Sequence, residues 1–331
     1  DGSSSMKTET LLGDEAIALA AIHAGIGGAF SYPGTPATEI LEYIMQYKSR
    51  MNGGATFYAN WSANEKVAYE EALGMSFAGK RTIVSMKHVG LNVAADPFMN
   101  SALTGANGGM VVVVADDPGM HSSQNEQDTR EFAHFAQVPV FEPSNQQEAY
   151  YMTLEAFEES ERLQIPILVR MVTRLAHSRA NVTVLEKGKP TTPRPGIGLM
   201  KEWTLLPSNA RIQNERMIEK NLRAAEASDE SAHNTLKLAG RKGILCCGIT
   251  VNYVMENLEP ETDYSILKIT RYPLPVKKVR QLVDHCDDIL VVEDSYPFVE
   301  KQLNGIIPLA GKSIRGRLTG DLPRTGELSP D

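Results

Sequence analysis

One carboxylate, one hydroxyl and one pair of adjacent bases occupy places where chemistry could be built. Glu65 opens the run Asn64-Glu65-Lys66-Val67-Ala68-Tyr69-Glu70-Glu71-Ala72-Leu73-Gly74, which reads as a helix from an Asn cap to Gly79. A carboxylate in a first turn gains from the helix dipole. The plain alternative is a helix-start acid that helps to cap. Gly74 in mid-helix costs about 1 kcal/mol against alanine, which points to close packing there. A second segment, Ser31-Tyr32-Pro33-Gly34-Thr35-Pro36-Ala37-Thr38-Glu39, follows a strand and opens a helix. Ligands in open α/β sheets bind beyond the carboxyl ends of strands. Pro33 and Pro36 stiffen this loop, Gly34 permits close approach and Thr35 offers a hydroxyl. The same residues also suit a simple turn capped by Thr38 or Thr35. In Ser85–Asn92, Lys87 and His88 stand side by side at a strand end, ready to meet an acidic substrate or move a proton. The alternative there is a surface loop with a satisfied histidine.

Other signals carry less. The stretch from Ala115 to Asp128 holds Asp116, Asp117, Glu126 and Asp128, but their spacing fits no EF-hand, and it reads as a solvated loop. Gly25-Ile26-Gly27-Gly28 follows a helix and precedes a strand, the reverse of a dinucleotide fingerprint, so it reads as a helix C-cap and turn. Neither a GxxxxGK(S/T) phosphate loop nor a GxSxG or HExxH motif occurs. Cys246, Cys247 and Cys286 lack CxxC spacing and read as reduced core thiols, so no metal or iron–sulfur site is expected on this chain.

Positioning such loops requires alternating strands and helices. Residues 7–185 supply them. Strand-like runs fall at Ala29–Tyr32, Thr56–Ala59, Thr82–Met86, Met110–Ala115, Val138–Phe141 and Ile167–Val172, with helical patterns at Asp14–Gly25, Thr38–Tyr47, Asn64–Gly79 and Gln147–Leu163. This rhythm predicts a doubly wound parallel α/β sheet. Residues 186–240 break it with a Pro-rich stretch, Lys189–Pro195, and a charged helix candidate, Asn209–Gly240, and read as a linker or excursion. A smaller α/β unit follows in residues 241–331. Its strands are expected at Gly243–Cys246, Tyr264–Ile269 and Asp288–Glu293, and its helices at Thr250–Leu258, Val276–His285 and Phe298–Leu303. A turn-rich tail from Lys312 completes it.

Composition narrows the class. The 331 residues suit two domains, and 42% hydrophobic with 22% charged content is globular. A net charge of −8 without a basic cluster argues against nucleic-acid binding. No apolar run reaches the roughly 20 residues of a membrane span. Asp1 to Ser5, ahead of Met6, reads as a tag remnant, and the expected location is the cytoplasm.

In this order the loops resemble the thiamine-diphosphate-dependent 2-oxoacid:ferredoxin oxidoreductases. The likeness is carried by SYPGTPATEI, NEKVAYEEALG, MKHVGLNVAADPFMNSA, VVVVADDPGMHSSQNEQDTR and PILVRMVTRLAHSR. Asn60–Asp128 is most similar to the alpha subunits of the indolepyruvate branch, and LVVEDSYPFVEKQL resembles the transketolase C-terminal-like domain that follows in the family. The resemblance implies that residues 7–185 form the pyrimidine-binding domain. It makes Glu65 the carboxylate that bonds the aminopyrimidine, and Thr35, with Pro33 and Gly34, a neighbour of cofactor and substrate. Lys87 and His88 become candidates for substrate contacts. It implies oxidative decarboxylation of an arylpyruvate, with coenzyme A taking the acyl group and ferredoxin the electrons. It also implies a beta subunit and pairing of alpha subunits. The same family acting on pyruvate or another 2-oxoacid, and a non-catalytic assembly module, are the alternatives. The family's GDG…N site for the diphosphate and Mg²⁺ has no match beyond Gly320-Asp321-Leu322, and no cysteine-rich segment for 4Fe–4S clusters occurs. The chain alone is therefore expected to be inactive, its site completed by a segment or partner elsewhere.

Overall fold

The computed structural model describes residues 5–196, 202–304 and 309–331; the expectation for the first residues of the N-terminal segment, and for positions 197–201 of the linker, falls outside the described residues. Seven strands make the main sheet: β2 (Gly28–Ser31), β3 (Tyr58–Trp61), β4 (Thr82–Lys87), β5 (Met110–Asp116), β6 (Val140–Phe141), β7 (Ile167–Val172) and β12 (Arg271–Tyr272). Their spatial order is β12-β6-β7-β5-β4-β2-β3, and every pairing is parallel except β12 with β6. Every residue of β5 and β7 is buried, because both faces of the sheet are covered. Helices α1 (Gly13–His23), α2 (Thr38–Arg50) and α7 (Gln146–Leu163) share the core on one face. Helices α3 (Glu65–Phe77) and α5 (Ala95–Thr104) share the core on the other. The doubly wound class is thus as the alternation predicts.

Several elements differ from expectation. Lys87 ends β4 and His88 begins a short helix, α4 (His88–Val93), so Ser85–Asn92 is a strand–helix junction rather than a loop. A further helix, α6 (Thr129–Ala136), follows the acidic stretch and is capped by the Asp128 side chain. The strand β1 (Met6–Leu12) pairs antiparallel with β8 (Arg179–Leu185), a contact between distant segments that no local pattern announces. Gly74 is exposed and a Cβ there would meet open space, so close packing is not its role among the described residues. Gly79, by contrast, has φ +93° and a Cβ would lie 1.9 Å from Arg194 O; only glycine fits. Gly25, at φ +75°, ends the turn after α1 as expected.

The second sheet has five strands in the order β14-β13-β10-β11-β9. These are β9 (Thr235–Lys237), β10 (Lys242–Cys247), β11 (Ser265–Ile269), β13 (Asp288–Val292) and β14 (Ser313–Arg315). The linker region holds a 24-residue helix, α9 (Pro207–Glu230), with proline in its first turn. It stops ten residues short of Gly240 because β9 intervenes. The expected turn-rich tail supplies β14. The last third of the chain also lends β12 to the main sheet, so the two sheets are joined by more than a linker. The three cysteines are free and buried. Among the described residues, no helix is long and apolar enough to cross a membrane.

Candidate functional site

Strand order decides which loops meet. Because β4, β2 and β3 are neighbours, the segments leaving their carboxyl ends lie side by side. Ser31 Oγ donates to Ser85 O at 2.6 Å and Ser62 N donates to Ser31 O at 2.8 Å, tying the three strand ends together. The β2 segment carries Pro33, Gly34 and Thr35, the β3 segment leads to Glu65, and the β4 segment ends at Lys87 and His88.

Two glycines set the spacing. A Cβ on Gly34 would lie 3.1 Å from Lys87 Cγ and Cδ, so the loop backbone rests on the lysine stem. A Cβ on Gly90 would lie 2.8 Å from Glu65 Cγ and 3.1 Å from Oε1, so the Glu65 carboxyl lies against α4. Asn64 caps α3 by accepting from Val67 N at 2.9 Å, which fixes Glu65 as the first helical residue. Gly34 N donates to Thr38 Oγ1 at 2.9 Å, so Thr38 braces the loop and Thr35 stays exposed. The Thr35–Pro36 peptide is cis.

These side chains are left unused by the fold. Glu65 is half-buried, and no hydrogen bond or ion pair to its carboxylate exists among the described residues. The same holds for the Lys87 ammonium and the Thr35 hydroxyl. Ser62 Oγ and His88 Nδ1 are buried without a partner. His88 itself is buried rather than on the surface, and its Nε2 lies 3.0 Å from Asn125 Oδ1. Thus Gly34 rests on Lys87 at the end of β4 and Glu65 rests on Gly90 in the helix that follows, with Thr35 on the loop that Gly34 begins. His88 is held to the loop that follows β5. Sequence reasoning missed Gly90, Ser62 and Asn125. A glycine three residues after Lys87, in a helix that it weakens, was the available signal for Gly90.

An unpartnered carboxylate at a helix start beside buried, unsatisfied polar atoms suits a flat heterocycle with its own donors and acceptors, such as an aminopyrimidine. Gly320–Leu322 offers no comparable receptor. Asp321 accepts from Arg315 at 2.9 Å and from Thr319 at 2.6 Å.

The acidic stretch after β5 is not solvated. Asp116, Asp117 and Asp128 are buried. Arg170 Nε donates to Asp116 at 2.6 Å and its Nη1 donates to Glu142. Arg130 donates to Asp128 at 2.6 Å, to Tyr272 Oη at 3.2 Å, and to the carbonyls of Asp294 and Tyr296 at 3.0 and 3.1 Å; it also pairs with Glu293 at 3.1 Å. Burial alone would raise Asp128, but Arg130 and Arg170 outweigh it and hold the carboxyl down at about 2. Burial raises Asp116 and Glu293 despite their arginines. This network joins strand ends of both sheets.

The family described as "Pyruvate flavodoxin/ferredoxin oxidoreductase, thiamine diP-binding" matches residues 19–202, more than half of the chain. Indolepyruvate oxidoreductase subunit IorA of Archaeoglobus fulgidus is 39% identical over 329 residues, covering 96% of this chain and 51% of that protein. The namesake from Methanothermobacter marburgensis is also 39% identical, covering 97% of this chain and 52% of its own length. The chain therefore spans about half the length of these curated relatives. A solved 2-oxoglutarate:ferredoxin oxidoreductase from Magnetococcus marinus, with 2-oxoglutarate, coenzyme A and succinyl-CoA bound, superposes with a TM-score of 0.75 at 16% identity. The match covers 98% of this chain and 63% of that one, a likeness of fold.

Proposed function

Since the chain belongs to the pyruvate flavodoxin/ferredoxin oxidoreductases through their thiamine-diphosphate-binding domain, we propose that it is the pyrimidine-holding part of an enzyme that oxidatively decarboxylates arylpyruvates, indolepyruvate foremost, to aryl-acetyl-CoA. The observation that carries this reading is the unpaired Glu65 carboxylate at the start of α3, cradled by Gly90. The choice of indolepyruvate leans on the names of the relatives that are 39% identical along nearly the whole chain.

In this reading Glu65 bonds the ring nitrogen of the aminopyrimidine and holds or shares a proton there. Its half-buried setting beside α4 keeps the carboxyl oriented and screens it from bulk water. Pro33 and Gly34 form the stiff wall of the pocket, and Thr35 presents its hydroxyl toward substrate and cofactor. Lys87, unpaired at the end of β4, takes the carboxylate of the 2-oxoacid, which favours an acid over a neutral carbonyl compound. His88, anchored by Asn125, offers Nδ1 as a second polar contact. When bound, thiamine diphosphate supplies the electron sink for decarboxylation of a 2-oxoacid. Mg²⁺ and the diphosphate are held by a segment or chain other than this one. Iron–sulfur clusters elsewhere in the complex, a beta subunit, ferredoxin, coenzyme A and a second alpha subunit complete the assembly, in the cytoplasm.

The test is turnover by the full-length protein reconstituted with its partner subunit, across indolepyruvate, phenylpyruvate, pyruvate and 2-oxoglutarate. The reading expects arylpyruvates to give the highest kcat/KM and Glu65→Gln to remove turnover. Preference for a small or acidic 2-oxoacid would reassign the substrate. Full activity in Glu65→Ala would instead leave an assembly module.

A further inference from the structure

We infer that Asp14, Glu39 and His177 form a site for one divalent transition cation, of the Zn²⁺ or Mn²⁺ kind, at the carboxyl edge of the main sheet. Three elements converge there. Gly13 lies so close to the turn α8 (Thr173–Ala176), which leaves β7, that a Cβ would stand 2.2 Å from Leu175 O. That approach sets Asp14, the second residue of α1, beneath the turn. Glu39 is the second residue of α2, and His177 is the C-cap that follows α8. One potential ligand atom from each lies within 4.8 Å of the other two.

Asp14 is the telling residue. It is 0% exposed, and neither of its carboxylate oxygens has a hydrogen-bond partner. Glu39 Oε2 is also without a donor, save for His177 Nε2 at 3.3 Å. A buried carboxylate is strongly unfavourable without a compensating group. Either a proton or a cation must sit between the two acids. One shared proton joins a single oxygen of each acid and leaves the second Asp14 oxygen unmet, while the imidazole reaches only Glu39. A cation engages both acids and the imidazole together.

The donor set selects the ion. Two carboxylates and one imidazole suit first-row divalent metals, whereas Mg²⁺ and Ca²⁺ prefer oxygen-only shells. Glu39 and His177 are each 33% exposed, so a further coordination position faces solvent. Ligand atoms in a tetrahedral zinc set stand about 3.4 Å apart. Rotation of the two half-exposed side chains closes the set around the fixed Asp14. The ion would bolt the starts of α1 and α2 to the turn after β7. Since α2 follows directly on the Thr35 loop, it would also fix that loop's exit. None of this depends on Glu65, Thr35 or Lys87, so it stands apart from the thiamine reading.

The test is calorimetric titration of the chelator-stripped chain with Zn²⁺, together with visible absorption on adding Co²⁺. One tight equivalent and a Co²⁺ band are expected. His177→Ala, a surface change, should weaken Zn²⁺ at least tenfold, and Asp14→Asn should abolish the site. Should Asp14→Asn fail to fold, His177→Ala alone decides. Equal Zn²⁺ affinity in wild type and His177→Ala would overturn the inference, since it would place binding at other histidines. So would the absence of a tight equivalent in the wild-type chain, which a stabilised Asp14→Asn variant would trace to a proton-sharing acid pair.

Discussion

Two groups of strand ends in the main sheet carry comparable charges and treat them in opposite ways. After β2, β3 and β4, Thr35, Glu65 and Lys87 are left without partners, and Ser62 and His88 keep unsatisfied buried atoms. After β5, β6 and β7, Asp116, Glu142 and Arg170 are buried and interlocked with Arg130, Asp128 and Glu293. Folding stability alone would favour the second arrangement everywhere, because each unsatisfied buried polar group costs about 1–3 kcal/mol. The lesson is that charge density does not mark a site. Unpaired polarity on a braced frame does, and the saturated network supplies part of the frame by linking the two sheets.

The comparison breaks most visibly if Glu65 proves dispensable. Glu65→Gln keeps size and removes the carboxylate proposed to hold or share the proton. In the reconstituted enzyme we expect kcat to fall by about 10²–10⁴-fold, the range for a positioned acid or base. The urea midpoint of the chain should hardly move, since no partner is lost. A variant that unfolds easily while still turning over would reverse the assignment.

Arg130 is the counterpart on the saturated side. Arg130→Ala leaves buried Asp128 with only Arg170, at 3.7 Å, as an ion partner, and buried Glu293 with backbone donors but no ion pair among the described residues. Loss of one partner of a buried pair costs about 3–5 kcal/mol, so urea denaturation should show a fall of that order. Its effect should be far larger than that of Glu65→Gln. Equal stability of the two variants would erase the distinction between the regions.

How much of this was legible follows from the range of each signal. The strands β4, β5 and β7 stood out because two-sided burial makes unbroken apolar runs. Capping by Asn64 placed Glu65 correctly. Strand order was not legible, and it is the order β4-β2-β3 that makes the three loops one site. The strand β12 is only Arg271–Tyr272, and β1 pairs with residues more than 160 positions away. Asp116 and Asp128 were read as solvated. The partner of Asp116, Arg170, is 54 residues distant, and Arg130 adjoins Asp128 only once α6 exists. Nothing local in the sequence shows that Asp14, Glu39 and His177 face one another.

A buried histidine outside both regions, His23, and a carboxylate of the saturated network, Asp294, give opposing acid responses. His23 is buried with Nδ1 2.7 Å from Tyr150 Oη, and burial lowers it to about 4 from its ordinary 6.5. Its contribution is fully present above pH 6.5 and is lost as pH falls toward 4, a change of about 3 kcal/mol. Asp294 lies in the network, and burial raises it to about 6. Its cost is present at pH 7 and is relieved as pH falls from 6 to below 4, again by about 3 kcal/mol at most. The two nearly cancel in the wild type. His23→Gln should therefore gain stability relative to wild type between pH 7 and 4, and Asp294→Asn should lose it. Parallel urea midpoints across that range in all three proteins would refute the opposition.

The finest test of the open region is Gly90→Ala. Alanine favours the short helix α4 by up to about 1 kcal/mol, so stability should hold or rise slightly. The new methyl group would sit 2.8 Å from Glu65 Cγ, which no real Cβ contact tolerates, and the side chain must swing away. Displacement of a catalytic group by about 1 Å can cost up to 10²-fold. Part of that shift can be absorbed because Glu65 has no other bond to break, so kcat should drop by about tenfold at an unchanged urea midpoint. A matching change in Gly34→Ala, which would press on Lys87 at 3.1 Å, should appear instead in KM for the 2-oxoacid, because Lys87 is assigned to the substrate carboxylate. If both variants alter only kcat, or only KM, Glu65 and Lys87 do not divide cofactor and substrate between them.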